Sequence, residues 1–194
     1  LAMRSNRHVR VGAADFGQAW ADVSGLYRCA DQRWVQLHCN YPWLAEGVLE
    51  ILGCGAVRAD VEAALRTWDA AAFEAAVAER NLCAFMVRTK DEWMAHPQGK
   101  AVAGLPLISI EKIGDAPVEP LPAGDRPLSG IRALELVRVI AGPVCGRTLA
   151  EHGAQVMRIG RPDRPDDDNL LRDTGHGKLA ANLDLRETGA SARL

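Results

Sequence analysis

The chain has 194 residues, 48% hydrophobic and 25% charged, with a net charge of −2. That length holds one ordinary domain or two small ones. The near-neutral balance leaves no broad basic field for nucleic acid or an anionic membrane surface, so neither is an expected partner. The five cysteines, Cys29, Cys39, Cys54, Cys83 and Cys145, are odd in number and form no C-x-x-C pair. Four of them sit in apolar runs and read as small core residues rather than ligands, and a reducing, cytoplasmic setting is expected. No apolar run approaches the roughly 20 residues that span a bilayer. Leu1 is not an initiator methionine and no signal-peptide pattern follows it, so the start reads as a cut or processed end.

In chain order, Gly25–Cys29 and Arg33–His38 are β-rich runs, with Ala30, Asp31 and Gln32 as a hairpin turn between them. Tyr41-Pro42 opens a helix carrying Leu44, Val48, Ile51 and Leu52 on one face, which Gly53 is placed to end. Asp60 is expected to cap the next helix and Asp69 the one after, with Phe73, Ala76 and Val77 on its apolar face. Leu82–Val87 is a short buried strand, and Thr89-Lys90-Asp91-Glu92 is a capping box whose helix stops before Pro97. Pro117, Pro120, Pro122 and Pro127 make 114–127 a linker. Beyond it Ile131–Leu136 alternates as a strand, Pro143 is placed as the first residue of a helix ending near His152, and Ala154–Ile159 is the next strand. Strand, helix and strand within 30 residues form a βαβ unit of a parallel sheet, with a further strand expected in Lys178–Leu185.

The expected fold class is therefore α/β: a small mixed α/β domain over 1–113, the linker 114–127, and the start of a Rossmann-like domain over 128–194. Ligands of open α/β sheets sit at the carboxyl ends of the strands, where helix N-termini present free amides to anions. Arg138, Arg158 and Arg161 gather near that edge, and Lys178 and Arg186 flank the third strand. They suggest a phosphorylated ligand, set against the plainer reading of solvated surface charges. The glycines spell neither G-x-G-x-x-G nor G-x-x-x-x-G-K-[ST], so a dehydrogenase or a nucleotide triphosphatase has little support. Asp166-Asp167-Asp168 reads as a solvated acidic run rather than a metal site, and no metal is expected.

Four segments in order resemble the class III CoA-transferase (CaiB/BaiF) family. Pro127–Leu136 is similar to its P-L-x-G-[IV]-[RK]-V-L-[DE]-[LF] opening, and Arg138–Pro143 to its A-G-P loop. Leu149–Ile159 is similar to L-[AG]-x-[LH]-G-A-[DE]-V-[IL]-[KR]-[IV], and Gly175–Lys178 with Leu183–Arg186 to R-G-K-R-S-x-x-L-D-L-[KR]. More loosely, Asp31–Val35, Cys83–Val87, Glu92-Trp93 and His96-Pro97 resemble the tail of the family's small domain. That domain here precedes the βαβ region instead of following it, the order expected of a tandem member. The resemblance implies CoA or acyl-CoA as ligand. It implies transfer of CoA between an acyl-CoA and a carboxylic acid, or racemisation of a 2-methylacyl-CoA, and two chains interlocked as a homodimer or with a partner chain.

By motif position Val139, Ile140 and Ala141 would line the CoA site, Arg161 and Arg186 would meet its phosphates, and Lys178 would join them. The family's catalytic aspartate, or the racemases' His/Asp pair, lies downstream of the L-D-L motif. No residue here is assigned a catalytic role, and the chain is expected to be a fragment with little turnover. A non-catalytic CoA-binding or subunit-interaction piece is the alternative. Gly160 stands where the family carries an acid, which is expected to loosen the strand end.

Overall fold

The computed structural model describes Gly12 and residues 20–193. It is α/β throughout and divides into two compact units, one of them Gly17–Lys112 and the other containing Ile113–Leu194.

In the first unit β1 (Gly25–Arg28) pairs antiparallel with β2 (Trp34–Leu37), and Tyr27 faces Val35. Gln32 takes a φ of 64° in the turn, a left-handed conformation that the Asp-Gly pair of a tight hairpin would adopt without strain. Three helices follow, α1 (Pro42–Leu52), α2 (Arg58–Leu65) and α3 (Ala70–Glu79), before β3 (Ala84–Met86) adds to the free side of β2. Gly53, at φ 63°, closes α1 as its spacing predicts. Asp60 does not cap α2. The cap is Val57, and Asp60 falls in the first turn, where its charge still favours the helix N-terminus. The capping box at Thr89 forms as read and starts α4 (Lys90–Ala95), after which Pro97 opens a further helix, α5 (Pro97–Ala103). Phe73, Leu37, Leu65, Val35, Val48, Val61 and Val77 are fully buried in one core, each contributing about 1.5–3 kcal/mol relative to an exposed state. Residues 109–124 are exposed and hold no helix or strand.

The second unit is a parallel three-stranded sheet in the order β4 (Arg132–Glu135), β5 (Gln155–Gly160), β6 (Lys178–Asn182). Helix α6 (Ala141–Glu151) connects the first pair of strands and α7 (Asp168–Thr174) the second. Pro143 is the third helical residue rather than the first, because α6 begins at Ala141. Ala150, Ala154 and Val156 are buried, with Ile131, Ala133 and Leu149 packed against them. Side chains two apart along β4 share a face, so Leu134 and Leu136 lie opposite Ala133 and Glu135. Leu134, Leu136 and Leu179 are each 50% exposed, although parallel sheets are commonly covered on both faces. Among the described residues no helix is long and apolar enough to cross a membrane.

Candidate functional site

A cavity of about 290 Å3 opens at the carboxyl ends of β4, β5 and β6. Each strand delivers its last apolar residues to the floor: Leu136 and Val137 after β4, Ile159 at the end of β5, Leu183 and Leu185 after β6. Arg138, Arg161 and Arg186 stand around that floor, with Asp166 and Asp184 between them. The arrangement follows from parallel topology, which puts all three strand exits on one edge. It combines an apolar surface that suits a flat ring with guanidinium groups that suit phosphate oxygens.

The guanidinium groups are already engaged. Arg161 grips Asp163 through two bonds of 2.6 and 2.8 Å. Arg186 holds Asp184 at 2.8 Å and reaches the same Asp163 at 3.1 Å. Hydrogen bonding from Arg161 holds the Asp163 carboxyl below the usual carboxylate range, and hydrogen bonding from Arg186 does the same to Asp184. Asp166, only 6% exposed at its side chain, accepts from Arg138 Nε at 2.7 Å and also pairs with Arg158. An anion entering here would exchange with carboxylates rather than meet bare cations.

The sequence-predicted residues divide. Arg161 and Arg186 line the cavity. Val139 and Ile140 are exposed on the loop leading into α6 and Ala141 is its exposed first residue; all three follow the lining residues Leu136, Val137 and Arg138 without themselves lining the cavity. Val139 has φ 70°, a costly conformation for a β-branched residue and one that clusters at functional loops. Lys178 does not line the cavity. Its side chain is 1% exposed and its ammonium is bound to Glu135 at 2.6 Å and to the Pro143 carbonyl at 2.8 Å. It lies near the amino end of β6, paired with Val156 and not with the strand exits.

Asp166 and Asp167 are not simply solvated. Asp166 bridges two arginines, and Asp167 caps α7 by accepting from the amides of Asn169 and Leu170. Asp163, Asp166 and Asp184 are site residues that the sequence reading missed. Arg161-Pro162-Asp163 and Asp184-Leu185-Arg186 did carry a signal, since opposite charges two apart in a turn can fold back on one another. Gly160 leaves room instead of loosening the strand, because a Cβ there would stand 2.5 Å from Asn182 Oδ1 and 3.2 Å from Arg158 Nη1. Among the described residues no group of His, Cys, Asp and Glu is arranged to hold a metal ion.

Residues 128–192 match CoA-transferase family III. An "Acyl-CoA transferase" of Gibberella moniliformis is 32% identical over 158 residues, covering 71% of this chain and 27% of that protein. That share exceeds what either unit holds, so the alignment crosses both in the same order. An "Alpha-methylacyl-CoA racemase" of Homo sapiens is 39% identical over 67 residues, covering 34% of this chain and 17% of that protein. Among solved structures, a "CAIB/BAIF family protein" from Brucella suis is 27% identical with a TM-score of 0.30, covering 36% of this chain and 22% of that one. The chain thus spans about a quarter of the length of the Gibberella protein and less of the others.

Proposed function

We propose, from the match of residues 128–192 to CoA-transferase family III, that the second unit binds the nucleotide end of coenzyme A at the carboxyl ends of β4, β5 and β6. The cavity carries this reading: an apolar floor of Leu136, Val137, Ile159, Leu183 and Leu185 ringed by Arg138, Arg161 and Arg186. The adenine would lie on that floor. The phosphates would take Arg161 and Arg186 from Asp163, and the amides of the first turn of α6 lie at the same end of the sheet. The reaction served is transfer of CoA between an acyl-CoA and a carboxylic acid. A stretch of 67 residues is similar to a racemase as well, and CoA binding is the property common to both chemistries. No catalytic step is assigned to the residues of this cavity, because Asp166 and Asp184 are both held by arginines. The alignment crossing both units supports a tandem order, with a small domain preceding the CoA-binding one.

Calorimetric titration with CoA tests this. Arg161→Ala should weaken binding by roughly tenfold or more, the value of a charge-assisted hydrogen bond. Asp163→Asn, which releases both Arg161 and Arg186 from a competing carboxylate, should tighten it. Absence of binding by the unaltered chain, or indifference to both substitutions, would refute the assignment.

A further inference from the structure

Lys178 was expected among the phosphate ligands, but it stands beneath the loop that would meet the ligand. Three elements converge on it: the end of β4 through Glu135, the first turn of α6 through the Pro143 carbonyl, and β6, on which it lies. Glu135 and Lys178 are 4% and 1% exposed at their side chains. Gly146 of α6 sits directly over the pair, where a Cβ would come within 1.7 Å of Glu135 Oε2 and 3.2 Å of Lys178 Nζ. Glu135 Oε1 is buried with no hydrogen-bond partner.

An ion pair with an orphan oxygen is a poor source of stability, since apolar side chains of similar volume commonly do as well. Its value here is geometric. The turn between β4 and α6 is strained at Val139 and tight at Gly142, whose Cβ would stand 2.2 Å from Val137 Cγ2. Such a backbone persists only where its surroundings over-determine it. The bond from Lys178 to Pro143 fixes the helical side of that turn, while Glu135 fixes Lys178 and is itself the last residue of β4.

We propose that Lys178 is a positioning residue, which with Glu135 pins the start of α6 and thereby sets the 136–142 turn for its ligand. Resting on the CoA-binding reading above, this replaces a ligand role for Lys178 with a role in shaping the site. The pair is neutral, so it adds nothing to the field that attracts an anion.

The test uses the full chain and nuclear magnetic resonance. In the unaltered protein the Lys178 ammonium protons should exchange slowly with solvent, and the Nζ resonance should hold its position when CoA is added while Arg161 Nε moves. Lys178→Met alone strands a buried carboxylate and risks misfolding, so the informative variant is Glu135→Gln with Lys178→Met. It should speed amide exchange of Val144, whose bond to Ile140 O is 2.9 Å, by roughly five- to tenfold, the loss of one hydrogen bond, and leave the β5 amides unchanged. CoA affinity should fall by a similar factor. Uniform acceleration across β4, β5 and β6, unaltered exchange at Val144, or a CoA-induced shift of Lys178 Nζ would each overturn the positioning role. If the unaltered chain binds no CoA, the functional proposal fails, and the exchange pattern alone still decides the role of Lys178.

Discussion

Gly146 is needed for its missing side chain. In the middle of α6 a glycine costs about 1 kcal/mol relative to alanine, yet alanine here would drive a methyl group into Glu135. Glu135 is locked to Lys178, and its carboxylate is not the far end of a free surface chain. Gly146→Ala should therefore lower stability despite the better helix propensity, by about 1–3 kcal/mol as expected for overpacking. Thermal unfolding reads this directly, and a raised midpoint would contradict the packing described. The same local view accounts for Arg161, Arg186 and Asp163. Each is exposed enough for ligand exchange, and their mutual pairing keeps the site ordered before any ligand arrives.

At the scale of elements, β3 is tied to α3 by a single carboxylate. Glu74 accepts from the Met86 amide at 3.0 Å and from Arg88 Nη1 at 2.8 Å, with both charged side chains about one-fifth exposed. Hydrogen bonding from Arg88 holds the Glu74 carboxyl below its ordinary value of 4.5. Because the folded chain binds that proton more weakly than the unfolded one, the contribution is complete above about pH 4.5 and fades as pH falls through the depressed value. Glu74→Gln keeps an acceptor for Met86 but loses the charge facing Arg88. It should cost about 1–3 kcal/mol at pH 7, and the gap to the unaltered protein should close in acid. A gap independent of pH would contradict the assignment.

The elements themselves were largely legible, because their signals are local. The capping box at Thr89, the apolar face of α1 with Gly53 behind it, and the alternation before Glu135 each rest on residues within one or two turns. Helix α7 was not legible, because Asp166, Asp167 and Asp168 look like a solvated run until one of them caps a helix and another bridges Arg138 and Arg158 across the fold. Lys178 was misplaced for a related reason. Motif order put it beside Arg186 in sequence, whereas its partner Glu135 lies two strands away in the sheet order. Likewise, the positions of Arg161 and Arg186 were readable, but the carboxylates that occupy them depend on turn geometry.

For the molecule as a whole, the two units differ in how completely they bury apolar surface. The Gly17–Lys112 unit encloses a core of leucine, valine and phenylalanine. The second unit buries mainly alanines and Val156, with Leu134, Leu136 and Leu179 half exposed. Its strand exits nevertheless build a defined cavity, the proposed seat of coenzyme A. Amide shift mapping of the full chain during titration with CoA locates the ligand residue by residue. Shifts should concentrate at 136–142, 160–163 and 183–186, with the Gly17–Lys112 unit unmoved; shifts centred in that unit, or on the Leu134–Leu179 face with none at Arg161 and Arg186, would rule out CoA binding at the strand exits.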